Sequence, residues 1–412
     1  MRAIVVGGGI GGLATALSLH ERGIEAEVFE RSAEIRELGV GINVLPHAIR
    51  ELAAMGLLEA LDRVAIRTHE LIYANRFGQV VWRELRGVEA GHDVPQFSIH
   101  RGRLQGVLLE AVRARLGVAR VLCGHELVGF TQDGAGVTGR FRRRDGSVLE
   151  RRADVLVAAD GIHSVVRAGF YPGEGAPRWN GIMLWRGAVP WAPFLTGRSM
   201  IIAGGMDAKL VLYPIAAEAD GRVLLNWAVM ARVAEEGGVA PRREDWSRPG
   251  RIEELMPLVE ASFRLEGIDV AAIIRATGEF YEYPVCDRDP VGQWSFGRVA
   301  LLGDAAHPMY PVGSNGASQA ILDARALARH LAGGEVAAGL AGYEAERGPA
   351  TAEIVRTNRV GGPERVIDLV SARAPAGFGR IEEVASAAEL AAIVGGYASM
   401  AGFARGGTLT NS

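Results

Sequence analysis

Hydrophobic positions near the start of the chain change from a strand pattern to a helix pattern and back within about thirty residues. The run from Ala3 to Val6 is continuously apolar, as in a buried strand. Leu13, Ala16 and Leu17 then recur at helical spacing, and a second apolar run covers 26–29. This alternation predicts a β-α-β unit in which the two strands are parallel.

The same pattern extends along the chain and separates two kinds of region. A loop at 38–43, a helix at 46–61, and a strand at 96–100 leading into a helix through 112 follow the first unit. Alternating positions then predict an antiparallel insertion with strands at 121–123, 127–131, 137–142 and 148–152, with Asp145-Gly146 as a hairpin turn. An apolar strand at 154–158 returns the chain to the first sheet.

The region from 179 to 283 is mainly β in pattern and rich in aromatic residues. Its predicted strands are 182–189, 199–203, 210–215, 223–229 and 278–283, with a helix at 253–265. A strand at 298–302, a helix at 318–331 and a helical remainder complete the chain. We therefore predict an α/β protein with a Rossmann-like nucleotide-binding domain in two parts, 1–178 and 285–358, a β-sheet substrate domain at 179–284 and a C-terminal helical segment at 359–412.

Composition narrows the functional classes. The chain has 412 residues, 49% of them hydrophobic, so it can bury a large core, and its net charge of −3 does not favour nucleic-acid binding. Cys123 and Cys286 have no metal-type or disulfide-type spacing, and no metal site is expected. Because no segment reaches the roughly 18–20 apolar residues of a membrane span, we expect a cytoplasmic protein without a membrane partner.

The glycines after the first strand predict a dinucleotide site. Gly7-x-Gly9-x-x-Gly12 lies between strand and helix, where glycines allow a tight turn, close approach of a pyrophosphate and close helix packing. Glu30 ends the second strand, where a carboxylate binds the hydroxyls of an adenosine ribose. An acid at this position disfavours a ribose 2′-phosphate, so FAD or NAD is expected rather than NADP.

Two later strands also end in an acid beside a glycine. Asp160-Gly161 follows the strand at 154–158, and Gly303-Asp304 follows the strand at 298–302. The glycine-rich stretch 311–317 then opens a helix and offers backbone N–H groups to an electron-rich ring edge. His307 lies between them, either as a general base or, with more weight, as a structural histidine.

Together, GxGxxG with Glu30, the Asp160-Gly161 pair and the Gly303-Asp304 pair resemble the group A flavoprotein monooxygenases, single-component aromatic hydroxylases that carry FAD. Within that family, the segments LGVGINVLP, WRGAV and GDAAHPMYPVGSNGASQAILD are most similar to phenazine-modifying hydroxylases of the type that acts on 5-methylphenazine-1-carboxylate. The resemblance implies the para-hydroxybenzoate hydroxylase-like fold. The residues it assigns to FAD are Gly7, Gly9, Ile10, Gly11, Gly12, Glu30, Arg31, Gly41, Arg101, Leu104, Leu127, Asp160, Asp304, Pro311, Gly313, Gly316 and Ala317.

The resemblance also implies a substrate pocket on the β-sheet domain. Its candidates are Trp185, Arg186 and Met309, with Lys209 and Tyr213 as catalytic residues. Lys209, the one lysine of the chain, is four residues from Tyr213, so both side chains fall on one strand face. Lys209 either draws a proton from a substrate hydroxyl or ends a strand in water, and Arg186 either pairs with a substrate carboxylate or links two strands.

The implied reaction is hydroxylation of an aromatic or heteroaromatic small molecule. FAD stays bound, NAD(P)H, with NADH favoured, visits transiently, and O₂ reacts through a flavin C4a-hydroperoxide. The alternatives are a flavin-dependent halogenase, a non-hydroxylating flavin oxidoreductase and a non-catalytic binding module. The halogenase needs a lysine in the nucleotide half, where none occurs, and the binding module predicts loss of the glycines or Asp304. A monomer or a homodimer is expected.

Overall fold

The structure, a computed structural model, describes residues 1–37 and 39–404. Leu38, in the predicted loop, and the last eight residues of the predicted C-terminal segment lie outside the described residues. The strands are, in chain order, β1 (Arg2–Val6), β2 (Glu25–Glu30), β3 (Gly41–Val44), β4 (Ala65–Arg67), β5 (Glu70–Asn75), β6 (Val80–Leu85), β7 (Phe97–His100), β8 (Val121–Cys123), β9 (His125–Asp133), β10 (Gly136–Arg143), β11 (Val148–Ala153), β12 (Val155–Ala158), β13 (Arg178–Trp191), β14 (Ser199–Gly204), β15 (Ala208–Ala217), β16 (Val223–Arg232), β17 (Phe280–Asp287), β18 (Ser295–Phe296) and β19 (Val299–Leu301).

The helices lie between these strands and after them. In chain order they are α1 (Ile10–His20), α2 (Pro46–Ala54), α3 (Leu58–Asp62), α4 (Arg101–Leu116), α5 (Val165–Phe170), α6 (Ile252–Ser262), α7 (Val270–Arg275), α8 (Gly316–Leu331), α9 (Val336–Arg359), α10 (Arg365–Arg373) and α11 (Ala387–Met400). In the described part of the chain, no helix is long and apolar enough to cross a membrane.

The nucleotide-binding half is a six-stranded sheet in the order β18-β19-β12-β1-β2-β8. All its pairings are parallel except that of the short edge strand β18. The central strands β1, β12 and β19 are largely apolar and almost wholly buried, because α1, α4 and α8 pack in the same core. The predicted β-α-β unit and the return of 154–158 and 298–302 to this sheet are confirmed.

The second half is a seven-stranded sheet in the order β17-β13-β16-β15-β14-β5-β6. Alternate side chains face opposite sides. One side packs on α6 and α7, and the other packs on α10 and α11 and faces the nucleotide half. Strands β5 and β6 come from 70–85, which the sequence places in the nucleotide-binding part and for which it predicts no strand.

Two smaller sheets complete the fold, and one of them corrects a prediction. The segment predicted as a loop at 38–43 contains β3, which pairs with β7 in the order β3-β7-β4. Its glycines indicated an irregular segment, but a Cβ on Gly41 would lie 2.6 Å from Ile215 and 2.8 Å from Asn226. Glycine is therefore needed there for close packing of two sheets rather than for a loop. The other small sheet is the predicted antiparallel insertion, in the order β11-β10-β9.

The predicted helix at 46–61 is two helices, α2 and α3. Gly56 between them has a φ of +72°, a left-handed conformation that ends α2. Pro46 at the first turn of α2 fits the helix start. The apolar spacing continues across the break, so periodicity alone did not reveal it.

Candidate active site

The three acid or glycine motifs meet at one edge of the six-stranded sheet. Strands β1, β12 and β19 are neighbours and parallel, so the residues that follow them, Gly7, Ala159 and Leu302, leave the sheet on the same side. Ligands of open α/β sheets bind outside this carboxyl edge. A cavity of about 320 Å³ opens there and continues across to the seven-stranded sheet.

The glycine loop leaves open space in front of α1. Gly7 has a φ of +105°, and a Cβ on it or on Gly12 would overlap a backbone carbonyl oxygen, so both positions require glycine. A Cβ on Gly9, by contrast, would meet no protein atom within 4 Å. Gly9, Ile10 and Gly11 line the cavity. The free N–H groups and positive end of α1 therefore face a space that fits the pyrophosphate of FAD.

Glu30 lies beside this loop. Its carboxylate accepts hydrogen bonds from the backbone N–H groups of Gly8, at 2.8 Å, and Ser32, at 2.7 Å, which leaves lone pairs for ribose hydroxyls. Gln105, which the sequence did not single out, donates from its amide to the Gly8 carbonyl at 2.7 Å. Arg31 is exposed, whereas the Leu104 and Leu127 side chains lie in the hydrophobic core rather than in the cavity.

Asp304 and Arg101 line the cavity. Burial raises the pKa of Asp304, and the positive charges of His307 and Arg101 oppose that rise. Burial also lowers the pKa of Arg101, whose guanidinium lies 5.2 Å from the centre of the Trp246 ring. No described protein donor is hydrogen-bonded to the Asp304 carboxylate, so it can accept hydrogen bonds from the hydroxyls of a polyol chain such as the ribityl of FAD.

Asp160 supports the loop after β12. One of its carboxylate oxygens accepts a hydrogen bond from the Val165 N–H at 2.9 Å, and the other is buried with no hydrogen-bond partner among the described residues. Burial raises the pKa of this carboxyl group. Gly161, at a φ of +81°, is the member of this motif that lines the cavity.

The loop before α8 forms another wall. Pro311, Gly316 and Ala317 line the cavity, and the N-terminus of α8 directs backbone N–H groups toward it. Gly313 instead faces Tyr397 of α11, where a Cβ would overlap the tyrosine ring. The loop thus combines free N–H groups, which fit the electron-rich edge of a flavin, with a rigid support behind them.

His307 lies outside the cavity. Its ring is 2% exposed and pairs with the buried Asp323, which also accepts a hydrogen bond from Arg347 at 2.8 Å and one from the Gly303 N–H at 3.2 Å. Although burial alone would raise the pKa of Asp323, the positive charges of His307 and Arg347 hold it below its usual value. This network supports the structural interpretation of His307.

Three predicted pocket residues, Arg186, Tyr213 and Met309, line the cavity. The Arg186 guanidinium donates to the Tyr283 hydroxyl at 3.1 Å and to the Gly41 carbonyl, which ties β3 to the substrate sheet. Burial raises the pKa of Tyr213 to about 12, although the nearby positive charge of Arg186 lowers it. Gly41 also lines the cavity.

The structure does not bring Trp185 and Lys209 into the cavity. Trp185 is next to Arg186 on β13 and therefore faces the opposite side, where it packs in the core and its indole N–H donates to Glu282 at 3.1 Å. Lys209 shares the face of Tyr213, as predicted from the spacing, but its ammonium forms an ion pair with Asp368 of α10 at 2.9 Å. The prediction of Trp185 as a pocket residue is wrong, and Lys209 is not among the cavity residues.

Sequence reasoning missed four residues of this site. Trp246, Tyr283 and Glu364 line the cavity, and Tyr397 supports the loop before α8. The alternation along β17 could have indicated Tyr283, and the Gly-Gly-Pro break directly before Glu364 could have marked that acid. Trp246 and Tyr397 reach the site only through long-range contacts.

We expect Tyr397→Phe to loosen the loop before α8. The Tyr397 hydroxyl accepts a hydrogen bond from the Asn315 amide at 2.9 Å and donates one to Asn358 at 2.8 Å. Leaving these buried partners unpaired should cost about 1–3 kcal/mol of unfolding free energy, measured in urea, and should weaken FAD binding. Tyr171→Phe, which removes an exposed hydrogen bond to the Gln293 carbonyl, is the control and should leave FAD binding unchanged. Equal FAD affinity in both variants would contradict the supporting role.

A family model described as an FAD binding domain matches residues 1–358. The chain belongs to this family. The chain is 44% identical, over 86% of its length and 88% of the relative's, to a phenazine 1,6-dicarboxylic acid hydroxylase of Lysobacter antibioticus. It is 36% identical to a 3-amino-4-hydroxybenzoate 2-monooxygenase of Streptomyces platensis, over 88% of each chain. It is also 30% identical to a 3-hydroxybenzoate 6-hydroxylase of Klebsiella oxytoca, over 87% of each chain.

Solved structures agree with these relatives. A variant of HpxO from Klebsiella pneumoniae, complexed with FAD, superposes with a TM-score of 0.78 at 25% sequence identity, covering 99% of this chain and all of that one. The protein is therefore an FAD-dependent aromatic monooxygenase of the para-hydroxybenzoate hydroxylase-like fold, as the sequence resemblance implied. Enzymes of this kind use NAD(P)H and O₂ with an aromatic substrate.

Proposed function

We propose that this monooxygenase hydroxylates a phenazine that carries a carboxylate, of the 5-methylphenazine-1-carboxylate type. The observation that carries the proposal is the part of the cavity against the seven-stranded sheet, which has largely apolar walls and Arg186 at its side. A flat heteroaromatic acid fits apolar walls with one cationic group. The 44% identity to a phenazine dicarboxylic acid hydroxylase supports the same ring system.

The residues that would hold FAD are those of the carboxyl edge. The loop Gly7–Gly12 would hold the pyrophosphate, Glu30 the adenosine ribose, and Asp304 and Arg101 the ribityl chain. The chemistry that FAD supplies when bound is acceptance of a hydride from NAD(P)H and activation of O₂ for transfer of one oxygen atom to the ring. The backbone N–H groups at Gly316 and Ala317 would stabilise negative charge at the edge of the flavin.

The remaining residues of the cavity act on the substrate. Arg186 would orient the substrate carboxylate with two parallel N–H donors, which fixes the ring relative to the flavin. The apolar side chains of Leu184, Val211, Ala228 and Met230 would exclude water from the reacting atoms. Tyr213, whose high pKa keeps its hydroxyl protonated, can donate a hydrogen bond to the bound acid.

Several further assignments belong to this proposal. NADH is the favoured reductant, the protein acts in the cytoplasm as a monomer or a homodimer, and its domains divide at 178, 284 and 358. The sharing of β5 and β6 with the substrate sheet means that the first part of the FAD domain also contributes to the substrate domain.

Anaerobic stopped-flow absorbance tests the proposal. The FAD-loaded protein is mixed with NADH, with and without a panel of phenazine, pyridine and hydroxybenzoate carboxylates, and bleaching of the flavin band is followed. We expect a phenazine carboxylate to accelerate bleaching most and, in air, to be hydroxylated. Acceleration by a hydroxybenzoate alone would overturn the phenazine assignment, and absence of any hydroxylated product from the whole panel would overturn the proposed substrate class.

We expect Arg186→Gln to weaken binding of the aromatic acid. Loss of a charge-assisted hydrogen bond worth about 1.5–3 kcal/mol corresponds to a roughly 10- to 150-fold higher Kd, measured from the perturbation of the flavin spectrum. Arg232→Gln, which changes an exposed arginine of the same sheet, is the matched control and should bind as the wild type does. Because Arg186 also contacts Gly41, FAD affinity is measured in parallel. An unchanged Kd for the acid would mean that Arg186 only links two strands.

A further inference from the structure

Glu364 is a buried acid in the wall of the substrate cavity. It is 3% exposed, and it follows a sharp backbone break in which Gly361 and Gly362 have φ values of +96° and +49°. A Cβ on Gly362 would lie 2.8 Å from Val312, so the chain passes close behind the loop before α8. This turn brings the carboxyl group into the cavity immediately before α10 begins.

The surrounding protein offsets the negative charge of the Glu364 carboxylate only in part. The groups that face it are Lys209 from β15, Asp368 from α10, Tyr73 from β5 and Tyr397 from α11, together with the Gly313 N–H. The Lys209 ammonium is already paired with Asp368. Burial raises the pKa of Glu364 to about 7, opposed by the charge of Lys209. A buried acid without a dedicated partner is costly unless a ligand supplies one.

Glu364 and Arg186 give the cavity opposite charges at two ends. Arg186 of β13 is level with Ala228 of β16 and Val211 of β15, whereas Glu364 faces Tyr73 of β5, which lies beyond β16, β15 and β14 in the sheet. Arg186 acts electrostatically on Tyr213, whereas Lys209 acts on Glu364. Between the two ends the wall is apolar, with Ile202, Ala228 and Met230. The cavity therefore has a cationic end and an acidic end, separated by an apolar surface.

We propose that Glu364 determines substrate specificity by accepting a hydrogen bond from a hydroxyl, amino or ring N–H group on the edge of the aromatic ring remote from the carboxylate at Arg186. This inference rests on the proposed function, because it takes the aromatic acid as the occupant of the cavity. The ionised Glu364 repels a second carboxylate at the remote edge, so the favoured substrate is a monocarboxylate with a donor group there. In this proposal Glu364, rather than Lys209 as the sequence suggested, is the residue that contacts the hydroxyl or amino group of the substrate.

Ligand binding to the FAD-loaded protein, without NADH, tests this assignment. The probes are a phenazine monocarboxylate, the same acid with a hydroxyl on the opposite ring, and the dicarboxylate with its second carboxylate there. In the wild type we expect the hydroxylated acid to bind roughly 10-fold or more tightly than the plain acid, as for a hydrogen bond to a charged group, and the dicarboxylate to bind most weakly. Glu364→Gln should bring the three Kd values within about threefold of one another.

Glu389→Gln is the matched control, because it removes an acid of the neighbouring helix α11 that pairs with Arg373 and does not line the cavity. It should retain the wild-type order of affinities. If Glu364→Gln does not fold, Glu364→Met replaces it.

The pH dependence of binding to the wild type is a second measurement. As the pH rises through about 7, ionisation of Glu364 should weaken dicarboxylate binding relative to monocarboxylate binding. Tyr73 and Tyr397 do not ionise in that range, because burial raises the pKa of both well above its ordinary value.

Three equal Kd values in the wild type, or an order that Glu364→Gln leaves unchanged, would overturn the role of Glu364. Failure of every aromatic acid to bind the wild type would instead overturn the proposed function, and this inference with it. Binding of all three acids with equal affinity leaves the proposed function intact, so the two failures are distinguishable.

Discussion

Gly9→Ala should yield a folded protein that has lost most of its affinity for FAD. Gly9 has φ −74° and ψ −176°, which alanine adopts without strain, and the added methyl group meets no protein atom within 4 Å. It would project instead into the space in front of α1 where the pyrophosphate fits. Displacing one charge-assisted hydrogen bond to a phosphate oxygen costs about 1.5–3 kcal/mol, a roughly 10- to 150-fold higher Kd for FAD. Titration of the deflavinated protein with FAD measures this change.

Gly12→Ala is the contrasting variant. Its Cβ would overlap the Gly7 carbonyl oxygen, so the backbone of the loop has to move even without a ligand. We expect the unfolding free energy of the deflavinated protein to fall by about 1–3 kcal/mol or more, as overpacked sites do. Gly9→Ala should leave that free energy unchanged. If Gly9→Ala binds FAD normally, the pyrophosphate does not lie against Gly9.

The nucleotide-binding half was predictable because its signals are local. A strand, a glycine turn and a helix are encoded within about twenty residues, and an acid beside a glycine after a buried strand marks the same edge again at Asp160 and Asp304. One error in this half, the loop at 38–43, arose where long-range packing decided the outcome. Gly41 lies in β3, which pairs with β7, and glycine is required there because Ile215 and Asn226, far along the chain, leave no room for a Cβ.

The substrate cavity was predictable only in part. A strand pattern shows that neighbouring side chains face opposite sides of the sheet, but it does not show which side borders the cavity. Trp185 and Arg186 are adjacent, and both were placed in the pocket, although alternation allows only one of them there. The spacing of Lys209 and Tyr213 correctly put both on one face. Their different surroundings depend on α10, whose Asp368 pairs with Lys209 from 159 residues away, a contact that no local pattern indicates.

The second large effect is expected for Asp323→Asn, which breaks the buried network beneath Gly303 and Asp304. Asp323 is fully buried, and its carboxylate neutralises Arg347 while pairing with His307. Removing one partner leaves a buried cation uncompensated, which typically costs about 3–5 kcal/mol of unfolding free energy. Because the Gly303 N–H also donates to this carboxylate, the variant should additionally bind FAD more weakly. Urea unfolding and FAD titration measure the two effects.

Glu346→Gln separates this effect from the general role of ion pairs between α8 and α9. Glu346 pairs with Arg329 and His330 across the same two helices, but its side chain is 41% exposed, so the change should cost no more than about 1 kcal/mol. Asp323→Asn with an equally small cost would show that water or a shifted side chain compensates Arg347. A large cost with unchanged FAD affinity would show that the network stabilises the fold without positioning Asp304. The expected result is a loss of both unfolding free energy and FAD affinity. It would explain the structural role of His307, which through Asp323 anchors the backbone that carries Asp304.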